Sequence, residues 1–137
     1  MTDTEPAATS RTASLRILIV EDSALVRRYY RDTLEQHGFE VEQAINGIEA
    51  MEKVLAQPFD LLIVDLNMPR MDGLTFLRTL RRSPGEIAGI PALMVTTEAG
   101  AQDIDDARAA GANFYLVKPL SQSDLLRYAA ALAGRPA

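Results

Sequence analysis

The sequence predicts an α/β fold of the doubly wound class, in which helices cover both faces of a five-stranded parallel sheet. Five short runs of branched apolar residues recur along the chain, which is typical of strands buried on both faces. After each run, apolar residues return every three or four positions, the period of an amphipathic helix. The 137 residues, 47% of them hydrophobic, suffice for one domain built from these alternating units.

The five predicted strands are defined by their nearly continuous apolar runs. Right-handed crossovers place each connecting helix over the sheet, so strands that alternate with helices are expected to lie parallel. In such a sheet a ligand binds beyond the carboxyl ends of the strands, where the strand order reverses. The runs are Ile17–Val20, Phe39–Ala44, Leu61–Val64, Pro91–Val95 and Asn113–Val117.

The five predicted helices follow these strands and are recognised by the spacing of their apolar residues. Capping residues precede four of them, and glycines follow two of them. The predicted apolar faces are Leu25, Val26, Tyr29, Thr33 and Leu34; Ile48, Met51 and Leu55; Leu74, Leu77 and Leu80; Ile104, Ala107 and Ala110; and Leu125, Ala129 and Leu132. The predicted N-caps are Ser23, Asn46, Asp72 and Ser121, and the helix-ending glycines are Gly38 and Gly111. Arg27 and Arg28 are expected on a solvated helix face.

Composition and charge exclude several classes of function. With 14 basic and 19 acidic side chains the net charge is -5, so neither nucleic acid nor a membrane is expected as a partner. The absence of cysteine excludes disulfides, thiolate metal sites and cysteine nucleophiles. No apolar run approaches the roughly 20 residues of a membrane-spanning helix. The expected location is therefore the cytoplasm.

The predicted domain covers residues 15–134. Residues 1–14 are rich in Thr, Ala and Ser and lack the basic and apolar segments of a signal peptide, so they are expected to form a disordered tail. Residues 135–137 are expected to form a second, short tail. We expect no output domain after the predicted fifth helix, and therefore an output through protein association or onward phosphotransfer.

Polar side chains follow four of the five predicted strands. The carboxylates would repel one another at one edge of the sheet unless a cation neutralised them, and an oxygen-only ligand set without Cys or His favours Mg²⁺. Together with a hydroxyl and an ammonium group, they make a phosphoryl site in which Asp65 is the candidate nucleophile. These residues are Glu21 and Asp22 after the first strand, Asp65 after the third, Thr96 and Thr97 at the end of the fourth, and Lys118 and Pro119 after the fifth.

These motifs, taken together, resemble a response-regulator receiver domain, closest in pattern to the single-domain chemotaxis type. The resemblance covers the chain from about Arg16 to Ala133. It rests on Val20-Glu-Asp22, Asp65-Leu-Asn-Met-Pro69, Met71-Asp-Gly73, Met94-Val-Thr-Thr-Glu98 and Tyr115-Leu-Val-Lys-Pro119. The strand order 2-1-3-4-5, shared with flavodoxin, is taken from the resemblance and not from the periodicity.

The resemblance implies the chemistry of the site. Asp65 would accept a phosphoryl group from a histidine kinase or phosphotransfer protein, with Mg²⁺ held by Asp22, Asp65 and the backbone carbonyl of Asn67, and by Glu21 through a water. Thr96 and Lys118 would then contact the phosphoryl oxygens and Tyr115 would turn inward. The face formed by the fourth helix, fifth strand and fifth helix would carry this change to a target protein, which the sequence leaves open between a flagellar motor, a kinase and others.

The resemblance also assigns the reset of the switch. Asn67 and Glu98 occupy positions that tune self-dephosphorylation, and their pairing implies a transient signal. Lys118-Pro119 is implied to be a cis peptide. Thr97 stands where the family favours Ala or Gly, which bears on access to the site. The protein is expected to catalyse only its own phosphorylation and dephosphorylation, and so is not classed as an enzyme.

Three other functions fit parts of the pattern. A Mg²⁺-dependent phosphohydrolase of the haloacid-dehalogenase type would use the same nucleophile, but it needs a second acid where Asn67 stands. A flavodoxin-like binder of flavin mononucleotide would need a phosphate-binding first loop, where Glu21 and Asp22 repel phosphate. A pseudo-receiver acting only as a scaffold is disfavoured because no element of the motif set is missing.

Overall fold

The computed structural model describes residues 15–68, 70–97 and 100–134, along which strands and helices alternate as five βα units. The predicted alternation is confirmed, although Phe39, Pro91 and Asn113 lie just outside the strands predicted to begin at them. The strands are β1 (Arg16–Val20), β2 (Glu40–Ala44), β3 (Leu61–Asp65), β4 (Ala92–Thr96) and β5 (Phe114–Val117). The helices are α1 (Ala24–Glu35), α2 (Gly47–Ala56), α3 (Gly73–Arg81), α4 (Ala101–Ala110) and α5 (Gln122–Ala133), with a short 3₁₀-helix at Gly85–Gly89.

The five strands form one parallel sheet in the order β2-β1-β3-β4-β5, which confirms the predicted fold class. The strand order reverses between β1 and β3, which are direct neighbours. Their register pairs Val20 with Val64, so the residues that follow both strands emerge side by side. The edge between β1 and β3 is therefore where this architecture forms a ligand site.

The core consists of two halves, one on each face of the sheet. On one face Leu18, Leu62, Val64 and Met94 pack against α2, α3 and α4. On the other face the alternate strand residues pack against α1 and α5. Successive side chains of a strand point to opposite faces of the sheet, and the three central strands are buried on both faces, so each of these strands contributes to both halves of the core.

The two edge strands and two of the helix faces differ from the prediction. Strands β2 and β5 are mostly half-buried or exposed, because each has a neighbour on one side only. Leu25 is 79% exposed and Leu55 64% exposed, while α1 buries Tyr30 and Leu34. Ile48, also predicted to face the core, is exposed as well, and α2 buries the smaller Ala50 and Val54.

The four predicted N-caps and Gly111 are confirmed, whereas α1 ends with Gln36 as its C-cap and Gly38 lies two residues further on, with φ of 90°. Each N-cap side chain accepts a hydrogen bond from a backbone N–H in the first turn, which satisfies one of the donors that a helix start leaves open. Gly111 ends α4 in the left-handed region, with φ of 111°. The N-caps are Ser23, Asn46, Asp72 and Ser121. No helix in the described ranges has the length and apolar character needed to cross a bilayer.

Gly73 lets the start of α3 pack directly against the end of β3. Its backbone N–H donates a hydrogen bond of 3.0 Å to the carbonyl oxygen of Leu66. A β-carbon at this position would overlap the carbonyl oxygen of Asp65 and lie 3.1 Å from the Cα atom of Leu66. Both neighbours are backbone, so neither can rotate away. The glycine is therefore required for the conformation of the chain around Asp65.

We expect Gly73→Ala to lower the free energy of unfolding by about 1–3 kcal/mol, the usual effect of overpacking a well-filled site. Chemical denaturation measures the change. Gly89→Ala is the matched control, because a β-carbon there meets no atom within 4 Å, and it should leave stability nearly unchanged. Equal effects of the two substitutions would contradict the close approach at Gly73.

Candidate functional site

Three carboxylates meet at the edge between β1 and β3. Glu21 and Asp22 come directly after β1, and Asp65 is the last residue of β3. One oxygen from each of the three lies within 4.8 Å of the others. Glu21 and Asp65 are buried, whereas Asp22 is exposed. The arrangement concentrates negative charge in a pocket that opens to solvent on the Asp22 side.

The ammonium group of Lys118 balances part of this charge. Its Nζ atom donates a hydrogen bond of 2.7 Å to Oε1 of Glu21 and lies 3.5 Å from Oδ1 of Asp65. The backbone N–H of Lys118 donates to the carbonyl oxygen of Thr96 at 2.7 Å, which anchors the residue to the end of β4. The peptide bond to Pro119 is cis. The sheet thus brings together residues that are 97 positions apart in the chain.

The loop after β1 is held in place by Arg27. Its guanidinium donates hydrogen bonds to the carbonyl oxygens of Glu21 at 2.8 Å and Asp22 at 3.1 Å. Oε2 of Glu21 accepts a further hydrogen bond, at 3.1 Å, from the backbone N–H of Ser23. The prediction that Arg27 is merely solvated is wrong, because it is half-buried and fixes the loop that carries two of the carboxylates. No sequence motif distinguished it from its neighbour Arg28.

The charges within the pocket shift the pKa values of its members. Burial, followed by the negative charge of Glu21, raises the pKa of Asp65 to about 6, and the nearby Lys118 only partly opposes this. Burial lowers the pKa of Lys118, but its hydrogen bond and charge interactions with Glu21 and Asp65 outweigh burial and raise it overall. Lys118 is therefore a permanent cation, and Asp65 is a carboxylate of unusually high basicity.

The donor set suits a hard divalent cation. Three carboxylates offer oxygen ligands in one place. Among the described residues, no other group of three or more Asp, Glu, His or Cys side chains lies close enough together to hold a metal ion. Asp22 is exposed and can keep water molecules on a bound ion, as Mg²⁺ prefers. Lys118 neutralises only one unit of charge, which leaves an excess of negative charge for the ion. The residues present therefore fit the predicted Mg²⁺ site.

Most of the remaining predicted site residues lie on β4 and β5 or in the loops that follow β3 and β4. Thr96 is fully buried at the end of β4. Tyr115 lies on β5 opposite Met94, half-buried, and packs against the core on the α2–α4 side of the sheet. Asn67 and Thr97 are exposed in the loops after β3 and β4. Glu98 and Pro69 lie outside the described residues.

The sequence matches a known family over most of its length. The family, described as the response regulator receiver domain, matches residues 17–130. The chemotaxis protein CheY1 of Helicobacter pylori is 40% identical over 109 residues, which cover 78% of this chain and 87% of that protein. The chemotaxis protein CheY-3 of Vibrio cholerae is 35% identical over 113 residues, covering 82% of this chain and 86% of that protein.

Solved structures show the same similarity. The chemotaxis protein CheY4 of Vibrio cholerae superposes with a TM-score of 0.82 at 35% identity, covering 87% of this chain and 98% of that one. A CheY-like response regulator receiver domain protein from Methanospirillum hungatei superposes with a TM-score of 0.82 at 30% identity, covering 88% and 94%. These similarities agree with the motifs on which the resemblance was based.

The raised pKa of Asp65 predicts how stability depends on pH in the absence of metal. Between about pH 4 and pH 6 the folded chain holds a proton that the unfolded chain has lost, so the free energy of unfolding falls as the pH rises through this window. Asp65→Asn removes the effect. We expect this variant to match the wild type near pH 4 and to be more stable by about 1–2 kcal/mol at pH 7, a value reduced for solvent screening.

Denaturation curves at several pH values, with a chelator present, measure this difference. Asp105→Asn, which removes one carboxylate from the exposed face of α4, controls for the change in net charge. A stability difference between Asp65→Asn and wild type that stays constant with pH would contradict the charge repulsion inferred for the pocket.

Proposed function

The chain belongs to the response regulator receiver domain family, and we propose that it is a phosphoacceptor switch of a two-component system. Asp65 accepts a phosphoryl group from a histidine kinase or phosphotransfer protein. The observation that carries the proposal is the position of the Lys118 ammonium, 3.5 Å from an Asp65 oxygen and inside a cluster of three carboxylates. A nucleophile, a cation for the incoming phosphate and a set of metal ligands thus share one pocket.

The transfer replaces one bond to phosphorus with another. An oxygen of the Asp65 carboxylate attacks the phosphorus of a phosphohistidine, an O–P bond forms, and the P–N bond breaks. The imidazole leaves with the bonding electron pair and takes up a proton from solvent. Burial raises the basicity of Asp65, which favours its attack on phosphorus. In the second half of the cycle, water attacks the phosphorus of the aspartyl phosphate, which releases inorganic phosphate and restores the free carboxylate.

The acidic residues would hold the metal. Asp22, Asp65 and the backbone carbonyl of Asn67 are the proposed direct ligands, and Glu21 is proposed to act through a water molecule. When bound, Mg²⁺ supplies positive charge that offsets the negative charge of the phosphoryl oxygens. Lys118, which contacts Glu21 and Asp65, would contribute a second positive charge.

Phosphorylation would change the contacts of Lys118 and Thr96. The added dianion offers Lys118 a stronger partner than Glu21, and the Thr96 hydroxyl a new acceptor. Tyr115, on the same face of the neighbouring strand, would then turn into the space that Thr96 leaves. The face formed by α4, β5 and α5 would present this change to a partner protein.

The similarity to proteins named for chemotaxis favours a partner of that signalling system, and leaves the kinase and the downstream target open. The chain would act on no other substrate, because its only chemistry is the gain and loss of its own phosphoryl group. Asn67 and Glu98, which follow the phosphoacceptor and the switch threonine by two residues, would set the lifetime of that group.

We expect acetyl phosphate with Mg²⁺ to phosphorylate the wild type and to leave Asp65→Asn unmodified. Phosphate-affinity electrophoresis under neutral conditions and intact-mass spectrometry measure the product. A chelator should abolish labelling of the wild type. Labelling of Asp65→Asn, or labelling without metal, would refute the proposal. Steady release of phosphate from small phosphate esters would instead favour the phosphohydrolase alternative.

We expect Lys118→Met to separate the two functions of the pocket. Loss of the ammonium leaves the carboxylates with more unbalanced charge, so Mg²⁺ should bind several-fold more tightly. The same loss removes a ligand of the phosphoryl group, so beryllofluoride, which occupies the place of that group on a carboxylate, should bind at least tenfold more weakly. Isothermal titration calorimetry measures both. Lys53→Met, on α2, is the control for net charge, and parallel weakening of both ligands by Lys118→Met would contradict the assignment.

A further inference from the structure

The hydroxyl group of Tyr30 is buried beside the acidic pocket without a hydrogen-bond partner among the described residues. The side chain is only 3% exposed, and it lies on α1 at the face that packs against the sheet. The preceding tyrosine shows the usual arrangement, since the Tyr29 hydroxyl donates to the carbonyl oxygen of Leu120 at 3.0 Å. A buried hydroxyl that makes no such bond is uncommon and unfavourable by roughly 1–3 kcal/mol.

The position of Tyr30 directs its hydroxyl toward the site. Side chains on a helix lean toward the helix N-terminus, and the N-cap of α1, Ser23, comes directly after the acidic pair. Tyr30 lines a cavity of about 460 Å³ together with Thr97, Lys118 and Pro119. Burial, and then the negative charges of Glu21 and Asp65, raise the pKa of Tyr30, so its hydroxyl keeps its proton and is available as a donor.

Glu21 is the acceptor that would lose a hydrogen-bond donor when the protein passes from the resting to the phosphorylated state. Its side chain is 4% exposed, and both of its oxygens have donors: Lys118 on Oε1 and the Ser23 N–H on Oε2. If Lys118 turns to a phosphoryl oxygen, as the proposed function requires, Oε1 loses its donor. A buried carboxylate oxygen without a donor is strongly unfavourable.

We propose, on the basis of the proposed function, that Tyr30 is a positioning residue whose hydroxyl donates to the Glu21 carboxylate when Lys118 moves to the phosphoryl group. The Tyr30 hydroxyl then has no acceptor among the described residues in the resting state and gains one in the phosphorylated state. Tyr30 stabilises the phosphorylated state relative to the resting state and thereby favours the release of Lys118 from Glu21. It does so without contacting the phosphoryl group.

This role predicts effects of opposite sign on the two states. Tyr30→Phe removes the unsatisfied hydroxyl, so the unligated protein should be as stable as the wild type or more stable. The same substitution leaves Oε1 of Glu21 without a side-chain donor in the ligated state, while Oε2 keeps the Ser23 N–H, so beryllofluoride in saturating Mg²⁺ should bind roughly five- to tenfold more weakly. Binding of Mg²⁺ alone should not change, because Lys118 remains on Glu21 in that state.

Three measurements on the full chain test the inference: thermal unfolding without ligands, calorimetric titration with Mg²⁺, and titration with beryllofluoride at fixed Mg²⁺. Tyr29→Phe is the matched control, because it removes a hydroxyl that has a partner and should lower the unfolding temperature. Unchanged beryllofluoride affinity in Tyr30→Phe would overturn the inference, as would a loss of stability with no specific loss of affinity. Failure of the wild type to bind beryllofluoride would instead overturn the proposed function, and the inference with it.

Discussion

The mutual repulsion of three carboxylates at the edge between β1 and β3 is the constraint on which the rest of the site depends. Two of them, Glu21 and Asp65, are buried, where like charges interact more strongly than in water. The fold tolerates this because Lys118 enters the cluster from β5 and compensates one charge. One charge does not balance three carboxylates, and the remaining excess of negative charge is what would favour a bound cation under the proposed function.

The fold places these groups by backbone contacts more than by side-chain packing. Adjacent β1 and β3 bring the acids together, and the hydrogen bond between the Lys118 N–H and the Thr96 carbonyl fixes the lysine relative to β4. Gly73 allows α3 to begin against the backbone of Asp65, and Arg27 binds the carbonyls of the first loop. Because the backbone is held in this way, side chains such as Lys118 can change partners without unfolding the site.

Periodicity and strand-end chemistry were enough to predict the fold class and the residues that meet at the site. They failed where the outcome depends on which side of a helix meets the sheet. Leu25, Ile48 and Leu55 lie at helical spacing yet are exposed. The buried face of α2 is shifted by one residue, to Ala50 and Val54, and α1 buries Tyr30 beside the predicted Leu34. The spacing of apolar residues alone does not determine which face is buried.

The contacts of individual polar groups were equally beyond the sequence. Arg27 is one of twelve arginines, and only its position after the acidic loop gives it three acceptors. The proposed function requires Lys118 to exchange one oxygen for another, which a compact ammonium on a flexible stem allows, whereas a guanidinium holds two oxygens in a fixed fork. Under the proposed function, such an exchange leaves the buried Oε1 atom of Glu21 without its Lys118 donor unless a second donor lies nearby. Tyr30 would meet that requirement, since its hydroxyl adds no charge to the resting site and could donate to Glu21 when the lysine leaves.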